Sequence, residues 1–79
     1  RLIACANILP GARSLYRWEG RITSAEETVM IAKTTAEAVD KVIDKVKGLH
    51  VYTCPCITAW AVDKGHAPFL EWVQSEVAP

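Results

Sequence analysis

The sequence predicts a single α+β domain whose elements run strand, strand, helix, strand, helix. Short apolar and β-branched runs flank turn-forming residues in the first half, and apolar residues recur at helical spacing further on. The chain has 79 residues, of which 51 % are hydrophobic, so it is long enough for one domain only. A domain this short buries only about 60 % of the surface of its unfolded chain. We therefore expect it to associate with other subunits.

The first half of the chain predicts a long antiparallel hairpin. The apolar run Leu2 to Leu9 is continuous, as in a strand covered on both faces, and Pro10-Gly11 predicts a bend or bulge after it. Residues 14–19 and 28–33 carry the aromatic and branched side chains that favour strands, and Gly20 between them permits a turn.

An amphipathic helix is predicted next. Thr34 or Thr35 is expected to cap its start, and Gly48 to end it in the left-handed conformation. The side chains at helical spacing on its apolar face are Val39, Val42, Ile43 and Val46.

The remainder predicts one strand and one short helix. Ile57 to Val62 is rich in branched and aromatic residues, which favours a strand. Pro68 suits a first helical turn. One apolar stripe follows it, made of Phe69, Trp72, Val73 and Val77.

Composition excludes several classes of function. Nine basic and nine acidic residues are interspersed, so the chain lacks the electrostatic footprint of a nucleic-acid-binding protein. The longest apolar stretch is far shorter than the roughly 20 residues that span a bilayer, so no membrane partner is expected. Three cysteines without a secretory signal predict reduced thiols and a cytoplasmic location. Two histidines and dispersed acids form no recognisable catalytic set, so we expect neither an enzyme nor an organic cofactor.

Five ordered blocks of sequence carry a family resemblance. They are residues 4–11 (ACANILPG), 14–20 (SLYRWEG), 30–34 (MIAKT), 50–55 (HVYTCP) and 69–73 (FLEWV). Together they resemble the CutA family of divalent-cation tolerance proteins, over Leu2 to about Val77. Family members carry a further strand and helix before the position of Leu2. Residues 1–79 are thus expected to be one CutA-like domain lacking those two elements, as in a fragment.

The resemblance implies a ferredoxin-like subunit with an antiparallel sheet, assembled as a homotrimer through long β-hairpins that cross onto neighbouring subunits. It also implies a protein that binds copper or another divalent metal ion and takes part in the response to metal ions. Two alternatives remain open at this point. One is a trimeric signalling module, like the nitrogen-regulatory PII proteins, that senses a small ligand in clefts between subunits. The other is a structural trimer that scaffolds another protein.

Four residues are candidate metal ligands. By resemblance, His50 matches the second of two adjacent histidines that bind copper in some relatives, and Leu49 stands at the first. Cys54 and Cys56 flank Pro55 where the family usually has Glu-x-Pro-Glu, and thiolates there favour soft ions such as copper(I) or zinc. Cys5 lies in the apolar run, where a buried inert thiol is the favoured interpretation, although the resemblance marks it as recurrent in the family.

The resemblance also assigns a second set of residues to clefts between subunits. Interface packing is the alternative reading for the aromatic members, and an ion pair is the alternative for Lys33 with Glu19. The set is Trp18, Glu19, Lys33, Tyr52 and Trp72.

Overall fold

The computed structural model describes residues 1–50 and 54–78, and its elements confirm the α+β class. In chain order these are strand β1 (Cys5–Trp18), strand β2 (Arg21–Lys33), a 3-10 turn (Ala36–Ala38), helix α1 (Val39–Leu49) and helix α2 (Ala67–Glu76). The two strands form a two-stranded antiparallel sheet within the described ranges. None of the helices there is long and apolar enough to span a bilayer.

A bulge and a tight turn shape the hairpin, as the sequence predicted. The register between the strands shifts between Leu9 and Ala12, where Pro10 and Gly11 stand opposite the single residue Thr28, so β1 carries one extra residue. At the tip, Glu19 and Gly20 have φ values of 49° and 77°, both in the left-handed region. A two-residue loop with both residues left-handed matches the right-handed twist of its strands, which explains why the chain reverses here.

Both faces of the hairpin carry exposed apolar side chains. Ile8 lies opposite Met30 on one face, with 60 % and 46 % of their surfaces exposed. Leu9 lies opposite Val29 on the other face, with 46 % and 42 % exposed. Neighbouring residues of a strand point to opposite faces of the sheet, so these two adjacent pairs lie on different faces. The apolar run from Leu2 to Leu9 was expected to be covered on both faces. In the single chain residues 2–5 are half-buried, whereas residues 6–9 are exposed.

The described core is small and lies at the base of the hairpin. Ala38, Val73 and Val77 form it, and Ala4 packs against them. These residues bring α2 beside the start of β1. The amide of Ala78 donates to the carbonyl of Arg1 (2.9 Å), which fastens the end of α2 to the beginning of the chain.

The strand predicted over residues 57–62 is wrong for the isolated chain, because these residues adopt no regular element. A strand exists only through backbone pairing with a neighbour, and β1 and β2 pair with each other. Ile57 is half-buried, but residues 58–62 are exposed, with Trp60 at 88 % and Val62 at 70 %. Despite its strand-like composition, the segment therefore pairs with no strand among the described residues.

Two predicted helix caps also differ from the structure. Thr35 precedes the 3-10 turn but its side chain makes no capping bond, while Thr34 Oγ1 donates to the carbonyl of Leu2 (2.6 Å). At the other end, Gly48 lies inside α1 and only Gly11 and Gly20 have positive φ among the described glycines. The helix instead ends at His50 in an extended conformation, with its amide bonded to the carbonyl of Lys47. Pro68 does lie in the first turn of α2, as predicted.

The isolated chain exposes far more surface than a folded monomer of its mass. Its accessible surface is 6778 Å², whereas a compact monomer of 8.7 kDa exposes about 4,700 Å². Its radius of gyration is 15.0 Å, against about 11.6 Å for a compact domain of 79 residues. The molecule is elongated, with extents of 45 × 25 × 21 Å, and both the hairpin and residues 57–62 expose apolar side chains.

Candidate functional site

Two free thiols lie on the surface after α1. Cys54 and Cys56 are both exposed, and neither forms a disulfide. Pro55 between them is half-buried. Cys54 lies at a bend and the residues after it form no regular element. Both thiols are therefore open to solvent, one on each side of Pro55.

The other two predicted ligands occupy different elements. His50 is exposed and ends α1. Cys5 opens β1, where it lies opposite Lys33 and is half-buried. Residues 1–50 and 54–78 contain no group of three or more His, Cys, Asp or Glu side chains placed to hold a metal ion. Within one chain, therefore, the four predicted ligands do not converge into a single site.

The predicted cleft residues lie at opposite ends of the hairpin. Trp18, with 58 % of its surface exposed, and Glu19 are at the tip, while Lys33 ends β2 at the base. The 12 residue steps of β2 span about 40 Å at strand rise. An ion pair between Lys33 and Glu19 of one chain is therefore wrong. A cleft that contains both must combine two chains.

Two of the cleft residues have identified neighbours at the base. The Lys33 ammonium donates a hydrogen bond to Asn7 Oδ1, diagonally across the hairpin. The Trp72 ring in α2 lies 6.0 Å from the Phe69 ring, tilted by 32°. Tyr52, predicted in the same cleft, lies outside the described residues.

Asn7 is the residue at this site that the sequence analysis missed. It stands alone as a polar side chain in the apolar run from Leu2 to Leu9. Since a polar group within such a run needs a hydrogen-bond partner, this isolation was the available signal. In the structure its amide oxygen accepts from Lys33, which fixes the direction of the lysine at the end of β2.

The fold and these positions define a class of small α+β proteins whose long hairpin extends well beyond the core of its own chain. The chain belongs to the CutA1 divalent ion tolerance protein family, whose model matches residues 1–76. This confirms the resemblance carried by the five sequence blocks.

Relatives in sequence and structure agree with the assignment. The divalent-cation tolerance protein CutA of Thermus thermophilus is 42 % identical over 74 residues, which cover 94 % of this chain and 72 % of the relative. A solved structure of the Thermus thermophilus divalent cation tolerance protein superposes with a TM-score of 0.93 at 40 % identity, covering 99 % of this chain and 76 % of that one. The Archaeoglobus fulgidus structure, described as a periplasmic divalent cation tolerance protein, gives 0.92 at 44 % identity, covering 98 % and 74 %.

Proposed function

We propose that this protein is a copper-binding, non-enzymatic divalent-cation tolerance protein that works as a homotrimer in the cytoplasm. The observation that carries the metal-binding role is the exposed, unbridged pair Cys54 and Cys56. Thiolates bind copper and other soft ions strongly. The relatives carry the names of tolerance proteins rather than of enzymes, which supports a binding role. Three free cysteines are in keeping with a reducing compartment.

Surface area supports self-association. The isolated chain has an accessible surface of 6778 Å², which exceeds that of a compact monomer by about 2,000 Å². Much of this surface belongs to exposed apolar side chains on both faces of the hairpin, including Ile8, Leu15, Ile22 and Met30. Apolar surface of this extent marks an interface in soluble proteins.

The separation of the cleft residues favours a closed ring of copies. Trp18 and Glu19 at the tip are about 40 Å from Lys33 at the base, judged from strand rise. If each tip reaches the base of the next copy, every contact joins the same two surfaces. Such head-to-tail contacts form a ring when the rotation from copy to copy closes, and an open filament when it does not. A trimer is the ring we propose, and its clefts would combine Trp18 and Glu19 of one copy with Lys33 and Trp72 of the next.

Two measurements test the proposal. Native mass spectrometry should give three chains per particle, and a stable, folded single subunit at micromolar concentration would contradict the trimer. Copper(I) and copper(II) titrations against competing chelators should each be run on the reduced protein. Metal binding is disproved if neither ion is retained in competition. If metals fail and nucleotides raise the thermal midpoint instead, a ligand-sensing trimer replaces the metal-binding one.

A further inference from the structure

The segment around Pro55 belongs to no regular element, and Cys54 lies at a bend of the backbone. Exposure alternates along it, because Cys54 and Cys56 are exposed while Pro55 and Ile57 are half-buried. Proline fixes its own φ near −65° and biases the preceding residue toward extended conformations. The two thiols therefore both face solvent, one on each side of a proline with a fixed φ.

Both thiols are free of disulfide bonds and exposed, so both are available to an ion from solvent.

The donor set selects the kind of ion. A structural zinc site requires about four ligands and calcium six or more oxygens. The described residues offer no third His, Cys, Asp or Glu side chain grouped with the two thiols. Two thiolates alone suffice for a soft monovalent ion with a filled d shell, which accepts linear coordination.

We propose that Cys54 and Cys56 together bind one copper(I) ion per chain in two-coordinate geometry, and that Cys5 takes no part. This inference rests on the metal-binding function proposed above, and it specifies the oxidation state of the ion, its ligands and the number of ions per chain. Cys5 is excluded because it is half-buried at the start of β1, opposite Lys33. Each thiol loses its proton on binding, so one ion releases about two protons.

The experiment uses the reduced, assembled protein without oxygen. Copper(I), kept reduced by ascorbate, is titrated in competition with a chromophoric copper(I) chelator, and silver(I) serves as a redox-inert analogue with the same coordination preference. Native mass spectrometry counts ions per chain, a weakly buffered titration counts protons, and X-ray absorption counts sulfur ligands. The variants are Cys54→Ser, Cys56→Ser and the matched control Cys5→Ser, which removes a half-buried thiol elsewhere.

We expect one ion per chain with two sulfur ligands in the wild type and in Cys5→Ser. Either Cys54→Ser or Cys56→Ser should weaken binding by roughly 10²-fold or more, because the second thiolate acts as an intramolecular ligand at high effective concentration. Zinc(II) should be lost on gel filtration from the wild type and all three variants, because two thiolates are too few ligands for a stable zinc site.

Three results would overturn the inference. If Cys54→Ser and Cys56→Ser bind copper(I) as the wild type does, the ligands are elsewhere, and the proposed metal-binding function survives. One ion per three chains, or a third sulfur ligand, would assign the site to the assembly instead. No competitive binding of copper(I) or copper(II) by the wild type would refute both this inference and the proposed function.

Discussion

Truncating Ile8 to alanine should weaken the assembly much more than it perturbs a single chain. Ile8 lies on β1 with 60 % of its surface exposed in the isolated subunit. Complete burial of an isoleucine stabilises by about 1.5–3 kcal/mol, so covering the exposed share contributes about 1–2 kcal/mol. A trimer contains three copies, and Ile8→Ala should therefore cost about 3–6 kcal/mol per trimer. That corresponds to a dissociation constant raised by roughly 10² to 10⁴.

Analytical ultracentrifugation over a dilution series measures this shift. The control is Lys41→Ala, which also truncates an exposed side chain to alanine but lies on α1, outside the hairpin. Exposed substitutions outside an interface change stability by about 0.5 kcal/mol or less, so this variant should dissociate as the wild type does. The reasoning is refuted if Ile8→Ala and Lys41→Ala dissociate at the same concentration, because Ile8 would then remain exposed in the assembly.

Two further predictions concern the stability of the fold, and urea unfolding followed by tryptophan fluorescence measures both. Gly20→Ala should destabilise by about 1–2 kcal/mol because Gly20 has a φ of 77° at the hairpin turn. The control Gly48→Ala lies within α1 with open space around it and should stabilise the fold by about 0.5–1 kcal/mol. If the two substitutions changed the free energy of unfolding equally, the turn geometry at Gly20 would be contradicted. Val73→Ala should cost about 1–3 kcal/mol because Val73 is 7 % exposed in the core. Val62→Ala, at 70 % exposure, should change stability little, and a larger loss there would show that residues 57–62 are covered in the assembly.

The candidate site was only partly accessible from the sequence. Cys54 and Cys56 were recognised because their residue types depart from the family pattern. That both thiols are exposed while Pro55 and Ile57 are half-buried appears only in the structure. Asn7 was missed because its role depends on a diagonal hydrogen bond from Lys33, a residue distant in sequence.

The sequence alone determined the features that depend on neighbours along the chain. Residues whose own φ angles are restricted or unusually free determine three of these features. They are the bulge at Pro10-Gly11, the turn at Gly20 and the first turn of α2 at Pro68. The apolar spacing of α1 and the five family blocks are also local patterns.

Only the tertiary structure decided what depends on a partner. Residues 57–62 have strand-like composition but no backbone neighbour in the described chain, and composition cannot supply one. Trp18 and Lys33 are both conspicuous in the sequence, yet the hairpin register places them at opposite ends. The physical reason is that local conformation depends on adjacent residues, whereas strand pairing, burial and the meeting of distant side chains depend on how the whole chain packs.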